Sequence, residues 1–126
     1  MGTKKNDRPV ASDRPCGLNL VVVRGVLSSD PVERTLASGD RLVQLEVTAR
    51  DRKGAASSVP VAWFTTAAVA WETGEEIVVT GSVRRRFFQA GGGPASRTEV
   101  VADRVVSTRH TAKVATVLAD AVSRLG

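Results

Sequence analysis

The chain has one cysteine, Cys16, and one histidine, His110, in 126 residues. A lone cysteine closes no internal disulfide and builds no Cys-rich zinc site. A lone histidine excludes the two-histidine zinc motif, and the pair is too small a set for a histidine-cysteine metal site. There is no Gly-x-Ser-x-Gly nucleophile elbow, and His110 falls outside the predicted barrel. Gly91-Gly92-Gly93 is not followed by Lys-Ser or Lys-Thr, so it is not a nucleotide phosphate loop. The chain therefore reads as non-catalytic, with no cofactor, metal or small-molecule substrate. No apolar stretch approaches the roughly 20 residues needed to cross a bilayer, and the N-terminus has no signal-like apolar core. The expectation is a cytoplasmic protein without a membrane partner.

What is present fits one soluble domain. The composition is 42% hydrophobic and 25% charged. Val and Ala dominate the apolar residues, in short runs bounded by Gly, Pro, Ser or Asp, which points to a sheet-rich fold. The net charge of +5 favours a polyanionic partner. Its distribution is uneven. Residues 1–17 hold four Lys/Arg against two Asp/Glu, residues 18–108 eleven against ten, and residues 109–126 three against one. An electrostatic groove on the body must therefore come from local clustering.

Residues 1–17 are rich in Lys, Asp, Arg, Pro and Ser without hydrophobic periodicity and read as a flexible arm. Residues 18–27 form a first strand, whose Val21-Val22-Val23 run implies burial on both faces and whose Gly25 marks a bend or bulge. Ser28-Ser29-Asp30-Pro31 and Ala37-Ser38-Gly39-Asp40 are turn chemistry. Over residues 41–50, Val43, Leu45, Val47 and Ala49 alternate with Leu42, Gln44, Glu46 and Thr48, the pattern of a half-buried strand. A polar loop covers residues 51–58 and a third strand residues 59–64. Thr65 or Thr66 caps a predicted two-turn helix over residues 65–73. Residues 77–88 and 96–107 form an antiparallel hairpin, with a mobile glycine loop over residues 89–96 between them.

From 111 to 125, Val114, Val117, Leu118, Ala121, Val122 and Leu125 recur at helical spacing. The predicted fold is all-β. It is a five-stranded oligonucleotide-binding (OB) barrel over residues 18–108, with a short helix between strands 3 and 4, followed by an amphipathic helix in residues 109–126. An SH3-like barrel lacks a helix at that point.

The sharpest local signal is Arg84-Arg85-Arg86-Phe87-Phe88. Strand parity sets Ser82, Arg84, Arg86 and Phe88 on one side and Gly81, Val83, Arg85 and Phe87 on the other. Cations beside an aromatic suit a single nucleic-acid strand, whose phosphates attract guanidinium groups and whose unstacked bases lie on a ring. A solvated basic strand end is the plainer alternative. Phe87, with the parity of Val83, is expected in the core, and Phe64 under the helix. Trp63 shares a Val59, Val61, Trp63 face that serves as core or as platform, and Trp71 packs on the barrel end or a subunit neighbour. Arg24 reaches solvent or a partner subunit. Arg50, Arg52 and Lys53 after the second strand, and Arg97 and Arg104 on the fifth, are phosphate contacts or ordinary surface charges.

From Asn19 onward the chain resembles the core domain of bacterial single-stranded DNA-binding proteins. The similarity rests on residues 19–27 with Ser28-Ser29-Asp30-Pro31, on Arg34 and Gly39, and on Val59-Pro60-Val61-Ala62-Trp63. Residues 81–88 and Thr98-Glu99-Val100-Val101-Ala102-Asp103-Arg104-Val105 complete it. The resemblance implies single-stranded DNA binding with little sequence preference, in replication, repair or recombination, by a homo-oligomer (dimer or tetramer). It places base-stacking aromatics on Trp63 and Phe88 and phosphate-binding cations on Arg84 and Arg86, with Arg50 and Arg97 as further contacts. The departures are Arg50 or Asp51, and Ser57 or Ser58, where relatives carry further aromatics, and an end at Arg124-Leu125-Gly126 without an acidic tip. They keep two rivals open, a protein-binding accessory of primosome type and an RNA-binding module.

Overall fold

A computed structural model describes residues 17–126. Cys16 and all of the N-terminal arm except Gly17 lie outside the described residues. Six strands precede one helix: β1 (Val21–Leu27), β2 (Val32–Thr35), β3 (Arg41–Arg50), β4 (Ala56–Phe64), β5 (Glu76–Ala90), β6 (Gly93–Ser107) and α1 (Thr111–Ser123).

The sheet closes into a ring, β1-β5-β6-β4-β3, because the end of β1 returns to the end of β3 through Val26↔Thr48 and Leu27↔Val47. β4 and β6 close the other side as the one parallel pair. All other strand pairings are antiparallel. β2, which the turn chemistry on either side of it concealed, fills the rest of the β3 edge with Val32↔Gln44 to Thr35↔Arg41. The strand count is thus six rather than five. β1 and β2 share one edge of β3, separated by the bend at Ser28 to Pro31. That bend is tied down by Asp30, whose carboxylate accepts the Thr73 amide at 2.8 Å and the Thr73 hydroxyl at 2.7 Å. The amide bond, reinforced by the hydroxyl, holds the Asp30 carboxyl below its ordinary pKa.

The alternation in β3 produces the core as expected. Val43, Leu45 and Val47 are fully buried and join Leu27, Val61, Ile77, Val79, Val100, Ala102 and Val105 in one cluster. Each Val, Leu and Ile of the cluster contributes about 1.5–3 kcal/mol of apolar burial. β1 departs from expectation. Its outer face is exposed at Val22 (47%) and Val26 (40%), because α1 packs on β5 and β6 and leaves β1 open. At Gly25 the β1–β5 register runs without a shift; the residue is small because the Thr48 backbone crosses where a Cβ would stand.

The helix expected over residues 65–73 does not form. Thr65 Oγ1 accepts the Ala67 amide at 3.0 Å, as a cap would, but the chain bends at Ala67 and then runs without regular structure to the Thr73-Gly74 turn. Val69 and Trp71, two residues apart, both pack on the core, and Trp71 stacks on Trp63 with centroids 5.9 Å apart and planes 9° apart. A nucleus of two turns is marginal by itself, and burying two large side chains outweighs it.

The glycine loop is also shorter than expected. Strand pairing runs to Ala90↔Gly93, so only Gly91 and Gly92 turn. β1 pairs with β5 only as far as Gly81, the Asn19 side chain brackets the Val83 backbone, and Val100 and Val101 still pair with β4, so residues 84–90 of β5 and 93–99 of β6 project from the ring as a two-stranded arm, about 23 Å long at the usual strand rise.

α1 forms where predicted, with His110 at its N-cap. Val117 and Ala121 are buried, while Leu118, Val122 and Leu125 remain exposed. Arg124 fastens its end, donating to Asp103 at 2.7 Å and to Asp120 at 2.8 Å. The Arg124 contact lowers the Asp120 pKa. No described helix is long and apolar enough to cross a membrane.

Candidate nucleic-acid interface

Register decides which side chains share a surface. In antiparallel pairs, directly opposed residues point to the same side. Leu42 opposes Phe64 and Gln44 opposes Ala62, while Arg34 on β2 opposes Leu42. On the arm, Arg84 opposes Glu99, Arg86 opposes Arg97 and Phe88 opposes Ala95. These residues, Ala95 excepted, line with Leu36 one outer groove of about 440 Å³ across β2, β3, β4, β6 and β5.

Of the residues expected to bind DNA, Arg84, Arg86, Phe88 and Arg97 meet in this groove. Trp63 does not line it. It opposes Val43 and so has the inward parity of the core, where it packs against the buried cluster and stacks on Trp71. The groove position belongs to its neighbour Phe64, which is 45% exposed and was expected under a helix that is absent. Strand alternation held the clue: Val59, Val61 and Trp63 share one parity, and Phe64 has the other.

Arg50 is also elsewhere. It lies six residues beyond Gln44 along β3, about 20 Å at the usual rise, where it donates to the Gly54 carbonyl at 2.9 Å. There it lines a separate cavity of about 640 Å³ with Arg24 and Glu76. Arg24 reaches Glu76 at 3.3 Å, and that contact, with the Thr108 hydroxyl, holds the Glu76 carboxyl below its ordinary pKa.

Phe87 is not in the core. It is 73% exposed on the reverse of the arm, since the arm leaves the ring and its inward parity has nothing to pack on.

The groove is organised around Glu99. This carboxylate is only 5% exposed, and its Oε2 accepts from Arg84 Nη2 at 2.5 Å and Arg86 Nε at 3.3 Å. A buried charge must be paired, and two guanidinium groups on one carboxylate leave a net positive charge with unused N–H donors. Arg86 also lies over the Phe88 ring, 5.1 Å from its centroid. Arg97 donates to Glu46 at 2.8 Å. Arg34 adds a fourth cation at the β2 edge. The result is an open concave surface with two aromatic rings, Phe64 and Phe88, and cations held in fixed positions beside them.

Compared with known proteins, the chain matches no family model and no curated protein sequence.

Proposed function

We propose that this chain is a non-catalytic OB barrel that binds single-stranded DNA with little sequence preference in the groove of β2 to β6. Phe64 and Phe88 stack bases, and Arg34, Arg84, Arg86 and Arg97 meet phosphates. The observation that carries this reading is the meeting of two exposed rings and four arginines on one concave sheet face. Three features support the barrel assignment: a closed ring of five long strands, a groove centred on the second and third of them (β3 and β4), and a β5–β6 hairpin beside it. In OB folds the face of strands 2 and 3 and the loop between strands 4 and 5 take oligonucleotides. The residue-level resemblance along 19–105 supports it further, with Phe64 taking the role expected of Trp63.

One observation favours a rival in which the groove holds a protein segment: Arg84, Arg86 and Arg97 are already paired with carboxylates. Fluorescence anisotropy of labelled oligothymidine at two salt concentrations separates the two. Nucleic-acid binding weakens steeply with salt as counterions are released, and a matched duplex binds poorly. Absence of binding at low salt transfers the groove to a protein partner, and stronger binding to an RNA strand of the same sequence gives it to RNA.

We further infer a homo-oligomer. Leu20, Val22, Leu118, Ala121, Val122 and Leu125 line one apolar depression between β1 and α1, with Val122 64% exposed. Light scattering of the wild type gives a multiple of the 13.3 kDa chain mass, and Val122→Asp returns it to that mass. A monomeric wild type contradicts the inference.

A further inference from the structure

The arm that carries Arg86 and Phe88 into the groove repeats the same pair on its other side. Arg85 lies over the Phe87 ring at 5.6 Å, as Arg86 lies over Phe88 at 5.1 Å. The opposed residues on β6 are Thr98 for Arg85 and Ser96 for Phe87, so this reverse face contains no carboxylate. The electrostatics of the two faces differ in consequence. In the groove, Arg84 and Arg86 share Glu99, whereas Arg85 contacts only the Ser96 hydroxyl at 3.2 Å and 3.3 Å, and among the described residues it forms no ion pair. Among the described residues its charge meets no carboxylate. Phe87 is the most exposed large apolar side chain of the described residues, covered there only by the Arg85 guanidinium. A neighbouring cation keeps that ring suited to a flat, electron-rich or polyanionic ligand rather than to an apolar core.

We propose that Arg85 and Phe87 form a second contact for the same nucleic-acid strand, so that a strand long enough to leave the groove passes round the arm and is held on both of its faces. This rests on the groove reading above. The occupant follows from charge complementarity: an unpaired guanidinium beside an exposed ring, with hydroxyls and no carboxylate opposite, accepts a phosphate and a base together. A short strand, about 8 nucleotides, is satisfied by the groove alone, whereas one of about 40 reaches the reverse face.

The test uses the full chain and both oligothymidine lengths. Phe88→Ala weakens binding of both. Phe87→Ala leaves the short strand unaffected and weakens the long one about tenfold, while Arg85→Gln lowers the salt slope for the long strand by about 1. Phe87 and Arg85 are surface residues, and unchanged thermal melting verifies that both variants fold. Wild-type affinity of Phe87→Ala and an unchanged slope for Arg85→Gln on the long strand, with Phe88→Ala impaired, overturn the second contact and leave the groove standing. Failure of the wild type to bind either strand overturns both.

Discussion

Gly81→Ala is expected to lower stability by about 3 kcal/mol, near the upper end of the usual cost of overpacking, and the melting temperature by about 10 °C. Gly81 lies at the register shift between Thr80 and Gly81, where β5 is paired to Val21 of β1 on one edge and Ala102 of β6 on the other. A Cβ there would drive into the Val101 carbonyl oxygen and stand 2.9 Å from the Ala102 Cα. Both obstacles are backbone, so no rotamer change relieves them, and either the bulge or the β5–β6 pairing has to open. The bulge is also where β5 parts from β1, three residues before the arm begins at Arg84. Loss of the groove should therefore accompany loss of stability, because Arg84 to Phe88 are aimed by this turn of the strand. Differential scanning calorimetry of the purified variant checks the prediction; a melting temperature within a degree or two of wild type would show that the strand is free to adjust.

The second large effect is on binding. The Phe64→Ala, Phe88→Ala double variant should bind oligothymidine at least about 30-fold more weakly than wild type, since each stacked base contributes roughly 1–3 kcal/mol. Phe64 projects from β4 and Phe88 from the arm, so the two rings flank the groove from different elements. Trp63→Ala should act differently. It removes the ring stacked on Trp71 and packed on the core, so its primary effect is on stability, with about 3–5 kcal/mol typical of such truncations in cores. Affinity measured on the folded fraction, beside a melting curve, separates the two roles of the adjacent aromatics.

These contrasts mark what was legible in the chain. The β3 alternation and the α1 spacing were readable because one periodicity dominated each, and the structure places Val43, Leu45, Val47, Val117 and Ala121 in buried positions accordingly. The irregular course of residues 65–73 was not readable. A Thr cap and an Ala-rich run satisfy helical propensity locally, and only the position of the core beside Val69 and Trp71 decides against it. β2 was hidden because all four of its residues are exposed and it exists only as an edge partner of β3.

For the candidate site, parity within β5 correctly grouped Arg84, Arg86 and Phe88. In β4 the same parity separates Trp63, on the inward face with Val59 and Val61, from Phe64 on the groove face, and the base-stacking role that the resemblance implies for Trp63 does not follow that separation. Phe87 was misplaced for another reason. Parity gives the side of a strand but not whether that side still faces a core, and a 15-residue strand outruns a ring whose β1 partner ends at Gly81.

The claim that a single strand occupies the groove is tested most directly by nuclear magnetic resonance, titrating isotope-labelled protein with a short oligothymidine strand. Amide shifts centred on Arg34, Gln44, Phe64, Arg84, Arg86, Phe88 and Arg97, with Arg50 and Trp71 unmoved, are the predicted result. Shifts centred instead on Val22, Leu118 and Val122, or no shifts at low salt, would contradict it.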